Sequence, residues 1–145
     1  MQRIKDENLF HIVKFCPQND LIFNDTAIFN ITFKNQLTSF EQRKLNKIIN
    51  LTTLNQFAKN KNILTEKLGE HGSKLSGGEM QKILIARSLF FDPKILIMDE
   101  IFSNISSTDT QIICKNLHKY SPDLLVIIIS HKIPKSGNFR EINIK

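Results

Sequence analysis

Two segments a short distance apart constrain this chain more than anything else in it: Leu75-Ser76-Gly77-Gly78-Glu79, and Ile95-Leu96-Ile97-Met98 running into Asp99-Glu100. The first reads as the start of a helix. Ser76 is a good N-cap, and Glu79 three residues on completes a capping box. Gly77 and Gly78 carry no side chains, so an anion can approach the backbone N–H groups, at a helix end with unsatisfied donors and partial positive charge. Met80 to Phe91 then reads as an apolar-rich helix, stopped by Asp92-Pro93. The second segment is a continuous apolar run, as expected of a parallel strand buried on both faces. It ends in two carboxylates at the edge where open α/β sheets bind ligands. Asp99 suits a Mg²⁺-bound water, and Glu100 suits polarising an attacking water. Alone, a capping box is a common helix start and an acidic pair after a strand is usually a solvated turn. Together, at this spacing, they point to nucleotide chemistry.

With these residues the chain resembles the nucleotide-binding domain of ATP-binding cassette (ABC) transporters of exporter type. The resemblance covers nearly the whole chain and corresponds to the C-terminal two-thirds of that domain. It implies an α/β fold: an incomplete P-loop NTPase-like (RecA-like) parallel sheet core with an inserted helical subdomain. Residues 1–24 would form the Q-loop strand and loop, 25–75 the helical subdomain, and 76–145 the signature helix, Walker B strand, D-loop, H-loop and last strand. The implied activity is ATP binding and hydrolysis coupled to transmembrane transport, with ATP and Mg²⁺ as cofactors. Ser76, Gly77, Gly78 and Glu79 would meet the nucleotide, and Asp99 and Gln18 the metal. Glu100, His131 and Gln18 would serve catalysis. The implied partners are a second ABC ATPase domain and the transmembrane domain of a transporter, the latter met through Gln18–Phe23 and Glu70.

Composition agrees with this and excludes several alternatives. The chain has 145 residues, 41% hydrophobic and 23% charged, which are values of a single globular domain. The net charge is +6 and the pI near 9.4, but Lys and Arg are scattered among acids without a long run, so no nucleic-acid partner is expected. Cys16 and Cys114 show no metal-ligand spacing and read as buried thiols. The N-terminus lacks the apolar core of a signal peptide. The longest apolar run, Leu124 to Ile129, is too short to cross a bilayer. Membrane attachment would come through a partner or a further domain, on a cytoplasmic or organelle-matrix face.

Along the chain, Phe10 to Phe15 reads as a strand running into Cys16-Pro17-Gln18, where the proline ends the ladder. By the resemblance, Gln18 senses Mg²⁺ and the γ-phosphate, and Leu21, Ile22 and Phe23 lie near the transmembrane part. Thr26 caps a short helix over about 27–34, and Phe40 to Ile49 and Leu51 to Lys59 read as two more. Gly69-Glu70-His71-Gly72 makes an exposed turn. After Glu100 the resemblance expects a small-residue loop ending in Asp, and the chain has Ser106 there. Ser106 or Ser107 can still cap a helix from about 108 to 119. Leu124 to Ile129 reads as a second buried strand ending in Ser130-His131, with a turn over Ile133 to Gly137 and a last strand over Arg140 to Lys145. By the resemblance, the strand at 95–99 lies between the other two, and His131 hydrogen-bonds the γ-phosphate.

The sequence contains no G-x-x-x-x-G-K-[ST]. Without that loop's backbone cradle and lysine, the chain alone is expected to bind ATP poorly and to be inactive. It reads as a partial exporter ATPase domain, with the alternative of a non-catalytic partner that supplies only the signature face to another subunit's ATP. An ATPase of DNA maintenance would need long insertions before the signature, where only short helices fit. Ile22–Thr26 and Lys74–Glu79 are also similar to mitochondrial half-transporters of glutathione-linked sulfur compounds.

Overall fold

In a computed structural model of the chain, residues 12–58, 64–131, 139, 140 and 142 are described. The strand expected over 140–145 and the turn over 133–137 lie largely or wholly outside them. The described elements follow in the order β1 (Val13–Cys16), α1 (Ala27–Thr32), α2 (Ser39–Leu51), α3 (Leu54–Ala58), a 3₁₀ turn at Glu70–Gly72, α4 (Gly77–Phe90), β2 (Ile95–Asp99), α5 (Ser107–Tyr120) and β3 (Leu125–Ile129). The fold is α/β. The three strands form one parallel sheet in the order β1-β2-β3, so the strand carrying Asp99 is central, as expected.

Capping chemistry explains where the helices start. The Thr26 side chain accepts from Phe29 N–H at α1. Thr38 and Glu41 form a full capping box at α2. Ser76 and Glu79 form another at α4. Ser106 caps α5 by accepting from Asp109 N–H. Helix ends differ from the sequence expectation for backbone reasons. α1 stops at Thr32 rather than near 34 because Phe33 turns left-handed, with φ 55°. α2 runs on to Leu51, and the break before α3 falls at Thr52-Thr53, where Thr53 has φ 59°.

α4 is the hub. It packs against β1, α1, α2 and α3, and every residue from Gln81 to Phe90 is buried. Leu45, Ile48 and Ile49 of α2 turn inward as their spacing predicts.

The strands correct one expectation. β2 and β3 read as buried on both faces, yet burial alternates along them. Cys16, Leu96 and Met98 are almost fully buried on one side of the sheet. In register on the other, Phe15, Ile127, Leu125 and Ile129 are exposed by 42–56%. The described helices cover one sheet face only, so a continuous aliphatic run still leaves every second residue open. Among the described strands, β3 pairs only with β2 and forms an edge.

Candidate functional site

The carboxyl ends of β1, β2 and β3 bring together loops that are distant in sequence. β2 ends at Asp99, which lies in register with Ile129. Glu100 follows with φ 47°, an unfavourable conformation for a residue with a Cβ. Bonds on both sides hold it there. Its N–H donates to Ile129 C=O at 2.9 Å, and its Oε1 accepts from His131 N–H at 2.8 Å. Glu100 Oε1 also lies 3.8 Å from His131 Nε2, while the imidazole itself is 98% exposed. The structure thus places Glu100 and His131 side by side, the carboxylate fixed and the ring open to solvent.

Gln18 reaches the same end from β1. Its Nε2 donates to Ser103 Oγ at 3.2 Å. Ser103 belongs to the turn after Glu100, closed by its own N–H to Glu100 C=O at 3.1 Å. Gln81 Nε2 of α4 donates to the same Ser103 Oγ at 2.8 Å, and Gln81 Oε1 accepts from Asn104 N–H at 2.9 Å.

The start of α4 lies against this turn. A Cβ on Gly78 would come within 2.7 Å of Asn104 C=O, and one on Gly77 within 3.2 Å of the Asn104 side chain. Packing alone therefore favours glycine at position 78. As first-turn residues of a helix 14 residues long, Gly77 and Gly78 have N–H groups without an intrahelical acceptor. Ser76 Oγ accepts from Glu79 N–H at 3.3 Å and donates to Glu79 Oε2 at 2.8 Å, and Glu79 Oε2 also accepts from Ser76 N–H at 2.7 Å. The Ser76 hydroxyl hydrogen is thus engaged by a buried carboxylate.

A second polar node joins the segment after Gln18 to α4. Arg87 donates to Asn30 C=O (2.7 Å), Asn30 Oδ1 (3.2 Å), Leu21 C=O (2.9 Å) and Asp20 (3.1 Å). Its guanidinium also lies 5.1 Å from the Phe33 ring centroid. Burial pulls its pKa below the usual value, and the Asp20 carboxylate opposes that. Asn30 in turn clamps Phe23 through both its backbone groups. This geometry corrects one residue of the expected partner surface. Leu21 and Phe23 are half exposed, but Ile22 is 2% exposed and packs against Gly72. Phe33 and Phe91 join the exposed group and stack on each other, beside a cavity of about 200 Å³ that reaches Lys14, Cys16 and Arg87. Burial pushes the Cys16 thiol up to about 11. Glu70 and His71 are exposed at their turn.

Sequence reading did not single out Gln81, Ser103, Asn104 or Arg87. Gln81 and Arg87 carried a signal all the same. Each is a polar residue inside an apolar helical stretch, and such a residue needs a built-in partner.

No group of three or more His, Cys, Asp or Glu residues able to hold a metal occurs among the described residues, and no described helix is long and apolar enough to cross a membrane. A family model described as ABC transporter matches residues 1–103. The chain is 34% identical over 134 residues to a putative export ATP-binding/permease protein of Rickettsia typhi, covering 92% of this chain and 23% of that one. It is 32% identical over 133 residues to the microcin-J25 export ATP-binding/permease protein of Escherichia coli, again 92% and 23%. A bacterial Atm1-family ABC exporter with ATP bound superposes with a TM-score of 0.79 at 27% identity, over 89% of this chain and 23% of that one. The chain therefore spans about a quarter of the length of these relatives.

Proposed function

Because this chain belongs to the ABC transporter family, we propose that it works as part of an exporter's ATP-binding domain, presenting the start of α4 to a nucleotide held by a P-loop outside these residues. The observation that carries this is the start of α4: two adjacent glycines whose first-turn N–H groups have no intrahelical acceptor, set against the turn after Glu100. Backbone donors at the positive end of a helix suit a phosphate.

The residues fit ATP and a phosphate-bound Mg²⁺. Gly77 and Gly78 would hold the phosphate through N–H, with Ser76 joining once its hydroxyl leaves Glu79. Asp99 and Gln18 would hold Mg²⁺ through water. They make no cage alone, which suits a cation that arrives with phosphates and keeps several waters. The nucleotide supplies the phosphoryl bond whose hydrolysis drives the family's transport. Glu100, which accepts from His131 N–H, would orient an attacking water, and the exposed His131 ring would donate to a phosphate oxygen. The exposed Leu21, Phe23 and Glu70 are the surface for a transmembrane partner, through which the chain would reach a membrane.

The test mixes the chain with a P-loop-bearing partner domain and measures ATP-dependent association. Wild type and Gly77→Ala are expected to associate, since the Cβ meets only the Asn104 side chain. Gly77→Asp should abolish association through repulsion of the phosphate. Equal association of wild type and Gly77→Asp, or no response of either to ATP, refutes the reading.

A further inference from the structure

We propose that Ser103 is a positioning residue: its hydroxyl couples the side chain of Gln18 to the start of α4, so that whatever turns Gln18 also moves Gly77 and Gly78. The use of this coupling in a composite ATP site rests on the reading above, while the coupling itself does not.

A serine hydroxyl offers two acceptor positions and one donor. Both acceptor positions of Ser103 are taken, one by Gln18 Nε2 and one by Gln81 Nε2. The two donors differ. Gln18 is exposed and bonds at 3.2 Å, whereas Gln81 is 1% exposed and bonds at 2.8 Å. Gln81 also holds the next residue, because its Oε1 accepts from Asn104 N–H at 2.9 Å. One buried amide therefore pins two consecutive residues of the turn to α4. Asn104 is confined from the other side as well, since there is no room for even a Cβ between its C=O and Gly78. The turn cannot move toward α4 without a clash, nor away without breaking both Gln81 bonds.

Of the two donors to Ser103, Gln18 is the exposed one. If its amide turns toward another ligand, Ser103 loses one donor and rests on Gln81 alone. The bond from Gln81 to Asn104 N–H then loosens, and Asn104 is the residue against which the glycines sit. The energetic warrant is a shared network, in which the strength of one hydrogen bond depends on its neighbours. The mechanical warrant is the absence of slack at Gly78. Neither needs nucleotide.

The experiment is a double-mutant cycle on the whole chain without nucleotide, read by amide NMR. Hydrogen exchange at Asn104 N–H and the resonances of Gly77 and Gly78 are followed in wild type, Gln18→Ala, Ser103→Ala and the double variant. Gln18 and Ser103 are both exposed, so these variants keep the core. Gln18→Ala is expected to speed Asn104 exchange about threefold, the scale of one net hydrogen bond partly transmitted, and to shift both glycine resonances. In the Ser103→Ala background the same change should do neither. Ser103→Thr, which keeps the hydroxyl, should restore the response. The proposal is overturned if Gln18→Ala has no effect in wild type, or an equal effect with and without the Ser103 hydroxyl. Failure of ATP-dependent association would instead count against the composite site and leave this coupling standing.

Discussion

β3 is the more apolar of two segments of this chain, and α4 the more buried. Leu125–Ile129 is aliphatic throughout, yet Leu125, Ile127 and Ile129 are each about half exposed. Gln81–Phe90 includes Gln, Lys, Arg and Ser, yet all of it is buried. Burial follows what the fold places around a segment, not the segment's own hydropathy. α4 is surrounded, so its polar side chains persist only because each has a partner. Gln81 meets Ser103 and Asn104, Lys82 meets Asp109 at 2.9 Å, Arg87 meets Asn30, Leu21 and Asp20, and Ser88 meets Leu84 C=O. β3 has helices on one side only, so half of its apolar surface contributes little.

Core truncation should separate the two segments most widely. Ile85→Ala in α4 is expected to cost about 2–5 kcal/mol, the range for a buried aliphatic cut to alanine. Ile127→Ala in β3 should cost less than about 1 kcal/mol, since only part of its surface leaves water on folding. Urea unfolding of both variants measures this. Equal losses would break the comparison and mean that the open sheet face is covered in solution.

The next effect tests how tightly α4 meets the turn after β2. Gly78→Ala places a methyl 2.7 Å from a backbone carbonyl oxygen, which cannot swing aside as a side chain can. A cost of about 1–3 kcal/mol is expected, the scale of overpacking. Gly77→Ala faces only the Asn104 side chain at 3.2 Å and should cost much less. Thermal unfolding of the pair checks this, and a neutral Gly78→Ala would show that the turn has slack.

How much of this was legible in the sequence follows from the range of the interactions involved. The Ser76–Glu79 capping box and the order of helices and strands are local or periodic, and Ser76-x-x-Glu79 and the alternation of strand and helix displayed them directly. The parallel sheet with the Asp99 strand at its centre came through resemblance, and the structure shows it. Helix ends at Phe33 and Thr53 were missed because they depend on left-handed backbone at residues that do not advertise it. The Gln18–Ser103 bond spans 85 residues, and the Arg87–Asn30 bond spans 57. Neither has a spacing rule, so only the polarity of Gln81 and Arg87 within an apolar helix hinted at them. The opposite error, reading β3 as fully buried, came from treating an apolar run as proof of two covered faces.

A smaller effect probes the Lys82–Asp109 pair that ties α4 to α5. Burial alone would raise the Asp109 pKa. The hydrogen bond and charge of Lys82 and the Ser106 hydroxyl outweigh it, so the carboxyl lies below its ordinary 3.8. A pKa lower in the folded than in the unfolded chain stabilises the fold above the unfolded value, and that contribution fades as pH falls through the folded one. Asp109→Asn should therefore lower the urea midpoint near neutral pH and flatten its decline below about pH 4. Parallel curves for variant and wild type would mean that the pair carries no linkage.

The smallest effect asks whether the polar bonds at the start of α4 serve packing at the expense of binding. Glu79 is 5% exposed, sits at the third residue of the helix, and accepts from both Ser76 N–H and Ser76 Oγ–H. Its charge steadies the helix start and also cancels part of the positive end that a phosphate would use. It takes the hydroxyl hydrogen that Ser76 would otherwise donate. Glutamine serves in a capping box as glutamate does, but it is neutral and a weaker acceptor. Glu79→Gln should lower the thermal midpoint slightly and strengthen ATP-dependent association with a P-loop-bearing partner about two- to fivefold. That is the scale of one charge near a helix end, about 0.3–1 kcal/mol. Because the gain is electrostatic, it should shrink as salt is raised from about 0.05 to 0.5 M. Weaker association at every salt concentration would show that the carboxylate shapes the phosphate-facing turn, and that α4 is tuned for binding through its packing.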